Sequence, residues 1–228
     1  KGKSELYAFL QTHNRTAFIN PEDAIQVSKT KACNTIPFPD SLHYIAAAPF
    51  VTVSFKNNTI QSQLIGKYNY TNIASAITIG NYFKVPESEI QNAIEAYQPT
   101  NNRSQIIKKE SNTIILDAYN ANPSSMQVAL ENFNAFNATQ KIVILGDMFE
   151  LGSESRKEHQ HMVQLAQSMA FTHCYFIGTH FFETKENAHL FATFAEFAVH
   201  LQEHPITHSA LFIKGSRGMR LERVLELL

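Results

Sequence analysis

Apolar and polar positions fall into two textures along this chain. From Arg103 onward, short apolar runs alternate with amphipathic stretches. The runs Gln105–Lys108, Thr113–Leu116, Lys141–Leu145, Cys174–Ile177, Leu190–Thr193 and Ala210–Ile213 have strand length, and most are apolar at consecutive positions, as strands covered on both faces are. Between them, Ser124–Phe136, Ser153–Met169, Phe194–Glu203 and Gly218–Leu227 read as helices. This rhythm predicts an α/β domain, a mostly parallel sheet with helices on both faces. The earlier region reads differently. Leu6, Phe9 and Leu10 share a helix face, Val51, Val53 and Phe55 alternate as a strand does, and Asn57-Asn58 supplies a turn before Ile60 resumes. Helices follow from Thr71 to Phe83 and from Glu87 to Tyr97, the second bracketed by Pro86 and Pro99. The polar stretch Gln98–Asn102 divides the chain into residues 1–100 and 101–228.

Composition narrows the class. A chain of 228 residues can bury a sizeable core, and 19 basic against 20 acidic residues leave no global field to recruit nucleic acid or an anionic membrane. No apolar run approaches the ~20 residues of a membrane span. Two distant cysteines, Cys33 and Cys174, suit a reducing compartment rather than a disulfide framework. The chain opens on Lys1 without an initiator Met, so a piece of something longer is expected.

Candidate chemistry gathers where strands end. Leu116-Asp117-Ala118-Tyr119-Asn120-Ala121-Asn122-Pro123 takes an apolar strand into a polar turn and then a proline suited to a first helical turn. Gly146-Asp147-Met148-Phe149-Glu150-Leu151-Gly152 follows the third strand, and Lys214-Gly215-Ser216-Arg217 follows the last. In a parallel sheet these ends share one edge, where open α/β sheets bind ligands. Each segment taken alone also suits an ordinary solvated loop. Neither Gly-x-x-x-x-Gly-Lys-Ser/Thr nor Gly-x-Gly-x-x-Gly occurs, and Gly66-Lys67 lacks the rest of a phosphate loop. His200 and His204 have helical spacing, but Pro205 ends the helix at once, and His159 and His161 lie on different helix faces. Cys174 and the stripe Leu190, Phe191, Phe194 and Phe197 read as packing.

Taken together, Asp117–Met126, Leu145–Gly152 and Lys214–Arg217 resemble the Mur ligases, above all the member that adds D-alanyl-D-alanine to UDP-N-acetylmuramoyl-tripeptide. Gly66–Ala76 resembles the Asn-x-x-Asn segment of that family's central ATPase domain, and Lys3–Leu6 the stretch just past its metal-binding histidine. The resemblance covers the whole chain and implies the end of an α/β ATPase domain followed by a Rossmann-like ligase domain. The phosphate loop and the amino-terminal sugar-binding domain would precede Lys1. Ala118 stands where Ser is common.

By position, the resemblance implies that Asn72 binds adenine, Asp117 the ribose hydroxyls, and Arg103 the γ-phosphate of ATP. Lys3 is implied as a carbamate near magnesium. Asn120, Asn122, Asp147, Glu150, Lys214 and Ser216 are implied to face the acyl phosphate and the incoming dipeptide. In such chemistry ATP activates a carboxylate as an acyl phosphate, an amine attacks it, and fixed cations stabilise the developing negative charge. ATP, Mg2+ and the two peptide substrates are therefore the expected cofactors and partners, in a bacterial cytoplasm. The chain alone is expected to be inactive, and its first region to self-associate or to order poorly. A folylpolyglutamate-type ligase and a non-catalytic module with a ligase fold are the alternatives.

Overall fold

The computed structural model describes residues 2–228, with side chains from Ser4 onward. Two compact units divide the chain, the first ending at Gln98 and the second running Pro99–Leu228.

In the first unit, α1 (Gly2–Thr12), β1 (Thr16–Ile19), α2 (Ala24–Lys29) and β2 (Asn34–Pro37) precede an antiparallel meander of β3 (Leu42–Ala47), β4 (Phe50–Phe55) and β5 (Asn58–Ile65). Helices α3 (Tyr70–Tyr82) and α4 (Glu87–Ala96) close it. β1 and β2 form a separate parallel pair. The alternation in β4 is the cause of the core, because Val51, Val53 and Phe55 point inward and meet Ile60, Ile73, Ile77 and Ile90. The turn between β4 and β5 is Lys56-Asn57 rather than Asn57-Asn58, since Phe55 pairs with Asn58 and Lys56 takes the left-handed conformation that such a two-residue turn demands (φ 53°). This unit therefore folds about its own core, while Leu6, Phe9, Ile25 and Phe83 stay exposed.

The second unit contains β6 (Gln105–Lys109), β7 (Asn112–Asp117), α5 (Pro123–Asn134), β8 (Lys141–Gly146), α6 (Ser155–Gln167), β9 (His173–Ile177), α7 (Thr179–Phe182), β10 (His189–Phe191), α8 (Phe194–Glu203) and β11 (Ala210–Lys214). These strands form one six-stranded sheet in the order β10-β9-β8-β11-β7-β6, parallel except for the β6–β7 hairpin. Both faces are covered. Ile114, Ile144, Ile177 and Ile213 pack with Phe197 and Leu201 of α8, whereas Phe212 stacks on Phe133 of α5 and Phe176 meets Phe181 of α7 at a tilt.

Two local expectations change, and one short helix was not expected. The predicted helix over residues 218–227 is two 3-10 turns, Arg217–Met219 and Leu221–Leu227, because Arg220 is left-handed (φ 51°) and interrupts the helix. The tenth strand stops at Phe191, since Thr193 is spent as the N-cap of α8, accepting from the Glu196 amide. The short α7 had no apolar periodicity to announce it.

Candidate functional site

The strand register puts the site together. β11 lies between β7 and β8, so Lys214 is level with Asp117 on one side and with Leu145 on the other. Residues about a hundred positions apart thus meet at the carboxyl edge of the sheet. There the Lys214 ammonium donates to Asp117 Oδ2 at 2.5 Å and to the Asn120 carbonyl at 3.0 Å. The two side chains are 4% and 15% exposed, so the pair lies largely out of water. The second Asp117 oxygen accepts from the Ser104 amide at 3.2 Å.

Two residues past Asp117, the Tyr119 ring meets two cations. Arg103 lies between Asn102 and Ser104, both left-handed (φ 57° and 50°), and its guanidinium covers the Tyr119 ring at 3.9 Å. The Arg217 guanidinium reaches the same ring at 5.8 Å. Arg103, Tyr119 and Arg217 are all exposed, so both guanidinia keep donors free to meet an anion.

Loops after β8 and β11 are stitched together. The Ser216 amide donates to the Asp147 carbonyl at 3.1 Å, and the Ser216 hydroxyl accepts from the Phe149 amide at 2.8 Å. Gly215 permits this approach, since a Cβ there would stand 2.9 Å from the Leu221 side chain and 3.1 Å from the Gly146 Cα. Below the loop, His159 of α6 is fully buried. Its Nε2 accepts from the Met148 amide at 3.0 Å, and its Nδ1 donates to the Ser155 carbonyl at 2.6 Å. Burial pushes the His159 pKa below its ordinary value, which together with the accepting Nε2 makes the ring neutral.

The expected site residues take different positions. Arg103, Asp117, Asn120 and Lys214 come together as described. Asn122 caps α5, its carbonyl oxygen accepting from the Ser125 amide at 2.9 Å within a reciprocal capping box. Asp147 is buried, and its two oxygens accept from the His180 and Phe181 amides at the start of α7, each at 3.0 Å. Both side chains thus have structural duties beside the contact with substrate expected of them. Ser216 is buried with its hydroxyl committed to the Phe149 amide, and Glu150 is exposed on a left-handed residue (φ 65°).

Asn72 belongs to the first unit, exposed on α3 and donating to Asn69 at 2.9 Å. The Lys3 side chain lies outside the described residues. Sequence reasoning passed over Tyr119, Arg217 and His159. The last was legible as part of the apolar stripe His159, Met162, Val163, Ala166.

Elsewhere in this unit, burial pushes the half-buried Cys174 thiol up to about 11. Among the described residues no helix is long and apolar enough to cross a membrane.

Comparison with known proteins agrees with this architecture. The family described as "Mur ligase, glutamate ligase domain" matches residues 102–212. The UDP-N-acetylmuramoyl-tripeptide--D-alanyl-D-alanine ligase of Treponema pallidum is 31% identical over 185 residues, 77% of this chain and 40% of that protein. The enzyme of the same name from Bacillus subtilis is 26% identical over 77% of this chain and 41% of its own. The chain therefore spans about 40% of the length of these curated relatives. Among solved structures, MurF from Acinetobacter baumannii superposes with a TM-score of 0.79 at 22% identity, over 98% of this chain and 53% of that one. MurF from Thermotoga maritima, solved in complex with ADP, gives 0.75 at 19% identity, over 94% and 53%. Sequence and fold agree: the chain belongs to the Mur ligase family.

Proposed function

We propose that this chain supplies the ligase domain, and the end of the ATP-binding domain, of an enzyme that joins D-alanyl-D-alanine to UDP-N-acetylmuramoyl-tripeptide in peptidoglycan precursor synthesis. The observation that carries the reading is the in-register Asp117–Lys214 pair at the sheet's carboxyl edge, with two exposed guanidinia gathered on Tyr119 of the loop that follows Asp117. A triphosphate or a phosphorylated carboxylate is a dense anion, and planar guanidinia grip such oxygens with paired hydrogen bonds. ATP, bound by the complete enzyme, supplies the activation of the carboxylate.

Within this chain, Arg103 holds phosphate oxygens and Asp117 orients ribose hydroxyls, each of its oxygens having a further lone pair beyond the bond it already accepts. Lys214 keeps Asp117 and the Asn120 carbonyl in place and sets a fixed positive charge beside the reacting groups. Asn120, Glu150 and Ser216 lie on the loops that meet the incoming dipeptide, while Asn122 and Asp147 support them from within the fold. Asn72 contacts adenine. Magnesium keeps most of its ligands as water and phosphate oxygens, so it needs few ligands from these residues. The complete enzyme works in a bacterial cytoplasm.

The 228 residues contain no phosphate loop, so alone they are expected to bind ATP weakly and to turn nothing over. Millimolar ATP is expected to leave their melting temperature unchanged within about a degree, and a shift of several degrees would contradict this. The decisive experiment is complementation of bacteria depleted of the D-alanyl-D-alanine-adding ligase. The full-length gene is expected to restore growth, and its Arg103→Ala variant is expected not to. No rescue by the wild-type gene sinks the reading.

A further inference from the structure

We propose that His159 is a positioning residue, a neutral imidazole that pins residues 147–149 and, through Ser216, holds the Lys214–Arg217 edge of the candidate site. Function of that edge rests on the ligase reading above; the pinning itself does not.

The connection runs through consecutive hydrogen bonds. His159 Nε2 accepts from the Met148 amide, the residues on either side of Met148 bond Ser216 through its amide and its hydroxyl, and Ser216 stands between Lys214 and Arg217. Lys214 holds Asp117, and Arg217 reaches Tyr119. Only one tautomer serves. Met148 N is a donor, so Nε2 must be bare, and the proton must sit on Nδ1, where Ser155 O accepts it.

The surroundings keep the ring neutral. Burial is the main cause, and His180 adds to it, while the Ser155 carbonyl, Asp147 and Glu158 pull the other way. The Phe181 ring meets the imidazole edge-on at 4.6 Å, and His180 lies at 5.3 Å. Protonation turns Nε2 from acceptor to donor. The Met148 amide then loses its partner, and the carboxylate of Asp147, 3.7 Å from Nε2, becomes the group that imidazolium attracts. That carboxylate already serves the His180 and Phe181 amides. A single proton would thus disturb both ends of the stitched loop.

The test uses nitrogen-15 NMR of the imidazoles in the 228-residue chain, with His159→Gln and His159→Phe variants. Glutamine presents an acceptor oxygen to Met148; phenylalanine fills the space and accepts nothing. We expect a His159 ring protonated on Nδ1 and unprotonated on Nε2 at pH 7. In H159F the Met148 and Phe149 amides should exchange at least tenfold faster, with shifts at Ser216, Arg217 and Tyr119, and H159Q should stay within threefold of wild type. In the full-length enzyme H159F should lower kcat at least tenfold and H159Q should restore most of it, with the acid limb of the kcat profile displaced.

An Nε2-protonated ring at pH 7 overturns the proposal even where both variants fail to fold. So does an H159F spectrum unchanged at residues 216 and 217, or a glutamine variant no better than phenylalanine. If the NMR results hold and the full-length wild type joins no dipeptide, the ligase reading falls and the pinning stands.

Discussion

The two units solve one problem in opposite ways. Each leads a strand into a helix through a polar turn, β5 into α3 and β7 into α5. In the first unit the asparagine of that turn serves the turn itself. The buried Asn69 donates to the Ile65 carbonyl at 2.8 Å and accepts from Asn72 at 2.9 Å, all within one short segment. In the second unit the strand-end groups reach other strands, with Asp117 bonded to Lys214 and Phe149 to Ser216. Topology is the cause. An antiparallel meander joins sequence neighbours, whereas a parallel sheet needs crossovers and so delivers distant residues to one edge. A composite site is easier to build in the second manner.

Ion pairs offer the sharpest way to break this contrast. Lys56 pairs with Glu87 in the first unit, with side chains 39% and 45% exposed, against 4% and 15% for Lys214 and Asp117. Removing one partner of a buried pair costs about 3–5 kcal/mol, because the other charge is left without water or counter-charge, while an exposed pair is worth roughly 0–1 kcal/mol. Lys214→Met is therefore expected to speed hydrogen exchange of β7 and β11 by at least a hundredfold. Lys56→Met should change exchange in its own unit less than about fivefold. Equal effects would mean that the edge pair is solvated and that the sheet does not depend on it.

Acid separates the units next. His159 and His200 both have pKa values pushed down, first by burial, and for His200 also by the neighbouring His204, His189 and His173. A histidine with a depressed folded pKa binds fewer protons folded than unfolded, so its stabilising effect is complete above the unfolded value near 6.5 and is lost as pH falls toward the folded one. Both residues lie in the second unit, whereas His13 and His43 of the first are exposed. Denaturation at stepwise lower pH should thus weaken the second unit from about pH 6.5 downward, ahead of the first. H159Q should narrow the gap. Parallel loss in both units would contradict the buried, neutral assignment.

A smaller effect belongs to the first unit. Asn69→Ala removes the two bonds that tie Asn72 and the Ile65 carbonyl to the turn. At about 1 kcal/mol for each net hydrogen bond, the loss should appear as roughly ten- to thirtyfold faster exchange at the start of α3, without reaching the second unit. An effect on β7 or β11 would show that the turn's polar groups are not local after all.

These tests also mark what the sequence could reveal. The parallel sheet was legible because apolar runs and amphipathic stretches alternate from residue 103 onward, and the loop ends because Asp, Asn, Gly and Pro cluster there. What escaped was the use of individual side chains. Asp147 and Asn122 carry the residue types of ligand contacts, yet backbone amides claim them, and amides leave no mark in a sequence. Conversely, Tyr119 and Arg217 lay inside the strand-end motifs without a role of their own until the strand register brought Arg217 over the ring. The short α7 and the 3-10 turns that end the chain rest on single left-handed or capping residues, which propensity averages away.

The Tyr119 cluster makes the smallest and most specific prediction. A cation over an exposed aromatic face contributes about 0.5–1 kcal/mol, too little to matter for folding but enough to narrow the orientations of a flexible guanidinium. Tyr119→Leu should then leave unfolding free energy unchanged within about 0.5 kcal/mol, the usual range for surface substitutions, while Tyr119→Phe keeps the ring and the effect. The informative signal is the Arg103 side chain. Its Nε heteronuclear NOE should fall toward that of an unrestrained arginine in Y119L and stay near wild type in Y119F. Unequal distances to the ring, 3.9 Å for Arg103 and 5.8 Å for Arg217, imply that Arg103 loses more order than Arg217. If Arg103 is equally ordered without the ring, its position is set instead by the left-handed residues on either side, and the aromatic serves the anion site in some other way.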